Sequence, residues 1–313
     1  MDPDADDHKV MKFKPVSVSD YDIIKPFFSD NPYGLSVYSP ASIIAWSYGT
    51  FKVDFTIDNG ELFIAGQKEG HPEYRHLILP LSRETSFTPS RLHDVARRAG
   101  FDRYWYAPGD YLETLDPAEL DSLFIKEEQP EFQDYVYLTD DLIHLPGNRF
   151  SKKRNLIHQF SREYLRKDRV IVEEIDPTDV EECLQFLEIW CDQHDCDIDQ
   201  ESNLACEKHA VITTLKNMAR FESNGIQVRV DGKIFAFGIG SRLNRTTATL
   251  NFEKADTGIK GLYQFLDNEC ARRLFSGFRY VNKESDMNIP NLAESKQSYN
   301  PILRIKSYIL TLR

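Results

Sequence analysis

Between residues 280 and 301 the chain gathers side chains that neither a core nor a solvated surface requires. Asn282, Lys283, Glu284, Ser285 and Asp286 follow directly on the apolar end of a strand, and Lys296 and Tyr299 come shortly after. Upstream, Glu253 and Lys254 leave a second strand. Carboxylates that converge on one cleft recruit a cationic amine, and crowding raises the proton affinity of one of them until it can serve as a base. Held against an activated carbonyl, such a set performs acyl transfer. The attacking amine or hydroxyl is deprotonated, and donors meet the developing oxyanion. Glu253, Glu284 and Tyr299 are the candidate catalytic residues, with Tyr299 protonating a leaving group or orienting substrate. Lys254, Asn282, Asp286 and Lys296 are candidate substrate contacts. The competing reading makes Glu284 and Asp286 ordinary ion-pair partners of Lys254 or Lys296, and Tyr299 a packed aromatic.

A second polar signal lies at residues 149–169, where eight basic residues face two acidic ones. The whole chain carries −12, so everything outside that segment carries −18. Affinity for phosphate backbones rests on lysine and arginine, which excludes a general polyanion binder. The segment, with Lys152, Lys153 and Arg154, is left as either a local anion site or a solvated helix face. Arg154 and Asn155 open a helix and form a donor pair suited to a carboxylate or phosphate, or else a link between two lobes.

A length of 313 residues accommodates two domains, and 41% hydrophobic with 12% aromatic content builds packed cores. No apolar run approaches the ~20 residues of a membrane span. The start MDPDADDHKV is acidic where a secretory signal is basic and then apolar, so a cytoplasmic protein is expected. Five cysteines without a Cys-x-x-Cys pair fit a reducing compartment. Cys191, His194, Cys196, Cys206 and His209 match no closed zinc spacing, so no metal is expected. No Gly-x-Ser-x-Gly elbow supports a hydrolase.

The elements that must position these residues read most clearly in the second half. Residues 170–175 form a strand pattern, Asp176-Pro177 opens a helix, and 201–221 is another helix closed by Asn224-Gly225. Three strands follow as a meander at 226–230, 233–241 and 246–253, then a helix at 262–275 and a strand at 278–282. A short helix near 292–298 and a terminal strand at 302–312 complete the pattern. The first half repeats the order more faintly, with a hairpin of 51–57 and 61–65 around Asn59-Gly60 and a helix at 90–99 stopped by Gly100.

This order of strand, two helices, three antiparallel strands, helix, strand, helix, strand resembles the Gcn5-related N-acetyltransferase fold. The expected class is α+β: two tandem acetyltransferase-like lobes, each a mixed, mostly antiparallel sheet flanked by helices. A disordered terminus is expected at 1–12, lobes at 13–126 and 169–313, and a connector with a basic helix at 127–168. In such folds two neighbouring parallel strands splay apart, here 246–253 and 278–282, and their ends line a cleft.

Four ordered motifs carry a more specific resemblance. They are Leu145-Pro146-Gly147-Asn148-Arg149-Phe150-Ser151-Lys152-Lys153-Arg154-Asn155, Asn251-Phe252-Glu253-Lys254-Ala255, Asn282-Lys283-Glu284-Ser285-Asp286 and Lys296-x-x-Tyr299-x-Pro301. Together they resemble a bacterial family of largely unassigned function, grouped with the C-terminal domain of phosphatidylglycerol lysyltransferases. The resemblance implies a tandem acetyltransferase-like fold shared with ligases that move amino acids from aminoacyl-tRNA to peptidoglycan precursors. The lipid-modifying enzymes carry a large membrane-spanning half that has no counterpart in these residues, so lysinylation of a membrane lipid is not expected. In acetyltransferase-like folds Gly258, Lys260 and Gly261 fall where an acyl-CoA pyrophosphate meets a helix N-terminus. The arginine/glutamine-x-x-glycine-x-glycine pattern of CoA-dependent members is degenerate there, which ranks acyl-CoA below aminoacyl-tRNA as donor.

The expected function is transfer of an activated acyl or aminoacyl group to a small-molecule or aminoacyl acceptor, with tRNA as a candidate partner and no cofactor fixed. The alternative is an inactive lobe pair that binds a small ligand or a protein. Donor, acceptor and oligomeric state are not legible in the sequence.

Overall fold

The computed structural model describes residues 11–29, 31–47, 51–82, 86–194, 196 and 203–313. The expected disordered terminus lies almost wholly outside them. The first half runs β1 (Lys14–Pro15), α1 (Tyr21–Ile24), α2 (Pro40–Ala45), β2 (Phe51–Asp58), β3 (Glu61–Lys68), β4 (His71–Leu77) and β5 (Leu81–Ser82). It continues with α3 (Pro89–Ala99), β6 (Arg103–Pro108), α4 (Gly109–Leu112), α5 (Pro117–Leu123) and β7 (Phe124–Glu128). Next come β8 (Asp134–Leu138), α6 (Thr139–His144), α7 (Ser151–Glu163), β9 (Val170–Glu174), α8 (Val180–Gln193) and α9 (Asn203–Lys216). The chain closes with β10 (Asn224–Val230), β11 (Lys233–Arg242), β12 (Thr247–Ala255), α10 (Leu262–Arg273), β13 (Tyr280–Asn282), α11 (Pro290–Gln297), β14 (Leu303–Ile305) and β15 (Ser307–Leu312).

Local chemistry explains the clearest of these. β2 and β3 pair up to Asp58↔Glu61, and the two residues between them, Asn59 and Gly60, take φ of 50° and 78° as a tight hairpin turn requires. Helix α3 starts where the Thr88 side chain accepts from the Arg91 amide with Pro89 in the first turn, and stops at Gly100 with φ 71°. Between those caps Leu92, Val95, Ala96 and Ala99 share the buried face.

The strands form two sheets, ordered β1-β2-β3-β4-β6-β15-β7 (with β5 against β3) and β14-β8-β13-β12-β11-β10-β9. Every neighbouring pair is antiparallel except β4 with β6 and β12 with β13. Read from β1 in one and from β9 in the other, the two sheets show the same succession of directions. In each, the sixth strand comes from the far part of the chain: β15 completes the first sheet and β8 sits inside the second.

This exchange departs from the linear reading. Residues 134–138 fall in the expected connector, yet β8 is buried along nearly its whole length between β13 and β14. Residues 302–312 read as one strand, yet the chain crosses at Lys306 from the second sheet to the first. Alternation of side chains specifies burial and not which sheet a strand joins. Three cores result: one in the first lobe, one between the second sheet and α10, and one between that sheet's other face and helices α8 and α9.

Candidate functional site

β12 and β13 run parallel through Thr247↔Tyr280, Ala248↔Val281 and Thr249↔Asn282, and then part. Immediately past the last pair β12 carries an extra residue. Gly240 pairs with Leu250 and Ile239 with Phe252, which leaves Asn251 as a bulge. A bulge re-aims the side chains that follow it. Leu250 packs in the α10 core and Phe252 in the α8–α9 core, so Glu253 turns toward α10 and Lys254 toward α8 and α9.

On the α10 face, the buried Lys283 ammonium is bonded to Asp267 and lies 3.7 Å from Glu253. Burial lifts the Glu253 carboxyl to about 7; Lys283 opposes the rise and the charge of Asp267 adds to it. Burial alone would lower Lys283, but Asp267 and Glu253 outweigh it and hold the ammonium above the ordinary lysine range. The Tyr299 ring stands 4.6 Å from the Lys283 Nζ and 3.9 Å from the Lys153 Nζ, and burial pushes its hydroxyl well up.

On the opposite face, Glu284 sits in a left-handed backbone with φ 57°, its amide donating to Asn282 Oδ1 at 2.7 Å. Asn251 Nδ2 donates to Glu284 Oε1 at 3.3 Å and is itself oriented by Ser241. Burial and the nearby charge of Asp134 raise the Glu284 carboxyl to about 8. Asn282 Nδ2 donates to Asp134 at 2.7 Å and to the Gly34 carbonyl at 3.3 Å, while the Ser36 amide donates to the same Asp134 oxygen at 2.6 Å. Asn282 and Asp134 therefore clasp the second sheet to the first lobe. Lys296 bridges the two faces, with its Nζ donating to the carbonyls of Lys283 at 2.6 Å and Ser285 at 2.5 Å. Burial lowers its pKa to about 8 against the pull of Glu284.

The structure thus gathers Glu253, Asn282, Glu284, Lys296 and Tyr299 around one fork. The remaining predicted residues lie beside it. Asp286 is engaged by the Tyr135 hydroxyl at 2.6 Å and the Asn288 amide at 2.8 Å, with Arg304 at 3.8 Å. Lys254 is paired with Glu207 at 2.8 Å and lies 4.0 Å from the Trp190 ring. Arg154 donates to the carbonyls of Leu145 and Gly147 and so ties down the loop before α7, while Asn155 is exposed. Gly258 and Lys260 are exposed, and Gly261, at φ 85°, is covered by α7: a Cβ there would overlap the Leu156 carbonyl oxygen and come within 3.2 Å of Phe160.

Asp267, Asp134 and the buried role of Lys283 and Lys153 escaped the sequence reading. An acidic residue inside the apolar run Phe265-Leu266-Asp267 was the available signal for the first.

The first lobe has the same fork and fills it. β4 and β6 share the pair Leu77↔Tyr104 and then separate. Into the gap comes fully buried Tyr38, whose hydroxyl accepts from the Leu79 amide and donates to the Tyr106 carbonyl, both at 3.1 Å.

Two sheets of this topology, each opening between its parallel strands, define a tandem Gcn5-related acyltransferase-like fold. The family described as phosphatidylglycerol lysyltransferase, C-terminal, matches residues 115–311, and the chain belongs to it. A conserved protein of unknown function from Bacteroides thetaiotaomicron VPI-5482 superposes with a TM-score of 0.84 at 27% identity, over 97% of this chain and 100% of that one. The C-terminal domain of a protein assigned as a lysylphosphatidylglycerol synthetase, from Agrobacterium fabrum, superposes at 0.61 with 15% identity, over 94% of this chain and 92% of its own. An uncharacterized protein of Mycoplasmoides gallisepticum is 24% identical over 178 residues, 56% of this chain and 55% of that protein. The match spans about half the length of that curated relative. Among the described residues no helix is long and apolar enough to cross a membrane.

Proposed function

We propose that the chain transfers an aminoacyl group from an activated ester to an amine or hydroxyl acceptor in the fork between β12 and β13. The observation that carries this reading is the convergence there of Glu253, Glu284 and Lys296, where burial pushes the two carboxyls up to about 7 and about 8 and the ammonium down to about 8. Groups poised near neutrality exchange protons in both directions, as acyl transfer demands.

Glu284 is the base: its carboxylate takes the proton of the attacking nitrogen or oxygen as the new bond to the carbonyl carbon forms. Two of the three donor positions on the Lys296 ammonium are held by carbonyls, which leaves one for the oxyanion. When the oxyanion collapses, the ester C–O bond breaks and the departing oxygen takes the proton that Glu284 accepted, while Tyr299, its hydroxyl held by Asp267, orients the site. Asn282 and Asp134 hold the strand end in place, and Lys283 with Asp267 fixes Glu253 beneath it.

The covered N-terminus of α10 favours the ester over a thioester of CoA. Helix α7 sits where the pyrophosphate would go, in van der Waals contact with Gly261. The lysyl group in the family's description makes lysyl-tRNA the first donor to try. Mass spectrometry of what copurifies with the chain tests the reading: tRNA or a free amino acid fits it, and stoichiometric CoA overturns it.

A further inference from the structure

Of the three adjacent cations Lys152, Lys153 and Arg154, one is turned inward. Lys152 and Arg154 are exposed, whereas Lys153 is only 9% exposed and reaches from α7 over the Tyr299 ring, 3.9 Å from Nζ to centroid. Among the described residues its ammonium has no hydrogen bond and no ion pair. The nearby carboxylates belong to another cation, for Asp267 is bonded to Lys283 and Glu253 stands 3.7 Å from that same ammonium. The carbon chain of Lys153 is covered while its ammonium tip keeps a path to solvent, and among the described residues the ring face is the one contact that compensates its charge. Burial accordingly lowers the pKa of Lys153, with Asp267 and Glu253 opposing and Lys283 reinforcing the shift.

We propose that Lys153 is an anion-binding residue of the fork, held unpaired beside Tyr299 to receive a phosphate or carboxylate group of the bound substrate. The idea rests on the fork as a substrate site but not on the acyl-transfer chemistry. Lys152 and Arg154 take no part in it, since one points to solvent and the other is spent on the Leu145 and Gly147 carbonyls.

The test is thermal unfolding of the parent, K153M, K153R and K152M at fixed pH and ionic strength, titrated separately with inorganic phosphate and with acetate. Without added anion, K153M is expected to melt close to the parent, because the covered part of the side chain is kept and only a charge that reaches solvent is lost. Phosphate or acetate should raise the melting temperature of the parent, K152M and, in part, K153R, and leave K153M unmoved. A response to phosphate alone assigns a phosphate ester, and a response to acetate alone assigns a carboxylate. Two results overturn the proposal: K153M responding as the parent does, or a parent indifferent to both anions. Because this measurement reads binding, it fails separately from an acyl-transfer assay.

Discussion

Tyr106 and Glu284 stand at the same point of the two sheets, each two residues past the last parallel pair and each in a left-handed backbone, with φ of 56° and 57°. At Tyr106 the fork is closed by the Tyr38 hydroxyl, which satisfies the Leu79 amide just past β4 on one side and the Tyr106 carbonyl of β6 on the other. At Glu284 it is spanned by side chains, Asn251 from β12 and the carboxylate itself. The first fork is closed by structure, and the second is the one we propose as the site.

Replacing Tyr38 with phenylalanine should therefore act on stability alone. The Leu79 amide and Tyr106 carbonyl lose a buried partner, at about 1–3 kcal/mol. Thermal unfolding would show the loss, while ligand binding and turnover per folded molecule stay at the parental level. A fall in turnover would mean that both forks take part.

Glu284→Gln keeps the size and the hydrogen bond from Asn251 but removes the proposed base. Turnover should fall about 100-fold or more, with little change in melting temperature because the carboxyl is already reluctant to ionise. A large stability loss with activity intact would make the residue part of a structural network.

Glu253 links the fork to pH. Its carboxyl titrates at 4.5 in the ordinary state and at about 7 in the fold. Between those values the folded chain holds a proton that the unfolded chain has lost, so stability falls as pH rises through the window. Lys296 works in the other direction: lowered from 10.5 to about 8, it makes stability rise with pH between those values. Denaturant titrations should show the lower slope shrinking in E253Q and the upper one in K296M. Slopes unchanged in either variant would remove that residue from the coupling.

Gly261 admits no side chain. Alanine there needs φ of 85° and overlaps the Leu156 carbonyl, which costs about 2–4 kcal/mol. A G261A chain of parental stability would show that α7 does not rest on the start of α10, and the argument against a CoA donor would go with it.

Element types were legible where local chemistry decides them. Asn59-Gly60 sets the β2–β3 hairpin, Gly100 ends α3, and the meander of β10, β11 and β12 follows from alternation. What the chain does not show locally is partnership. Residues 134–138 read as part of a connector and 302–312 as one terminal strand, and only the folded sheets reveal that β8 and β15 each complete the other lobe. The same limit governs the site. The polar run from Asn282 to Asp286 stands out because a strand end has no use for it, but Asp286 is spent on Tyr135. Lys254 and Glu253 are neighbours that part to opposite faces, and the cause is the bulge at Asn251, which no alternation pattern records. The sequence groups Lys153 with Lys152 and Arg154 as one anion site or one solvated face, and does not separate them because the inward turn of Lys153 depends on where α7 lies over Tyr299.

The central claim is tested most directly by supplying lysyl-tRNA and acetyl-CoA in separate reactions, each with a panel of amine and hydroxyl acceptors, to the parent chain and to E284Q. Loss of the ester or thioester and appearance of the acylated acceptor are followed together by mass spectrometry. The account predicts that lysyl-tRNA is discharged onto an acceptor by the parent, that E284Q does so about 100-fold more slowly or worse, and that acetyl-CoA is left intact by both. Turnover of acetyl-CoA, or discharge of lysyl-tRNA at the same rate by parent and E284Q, would contradict it.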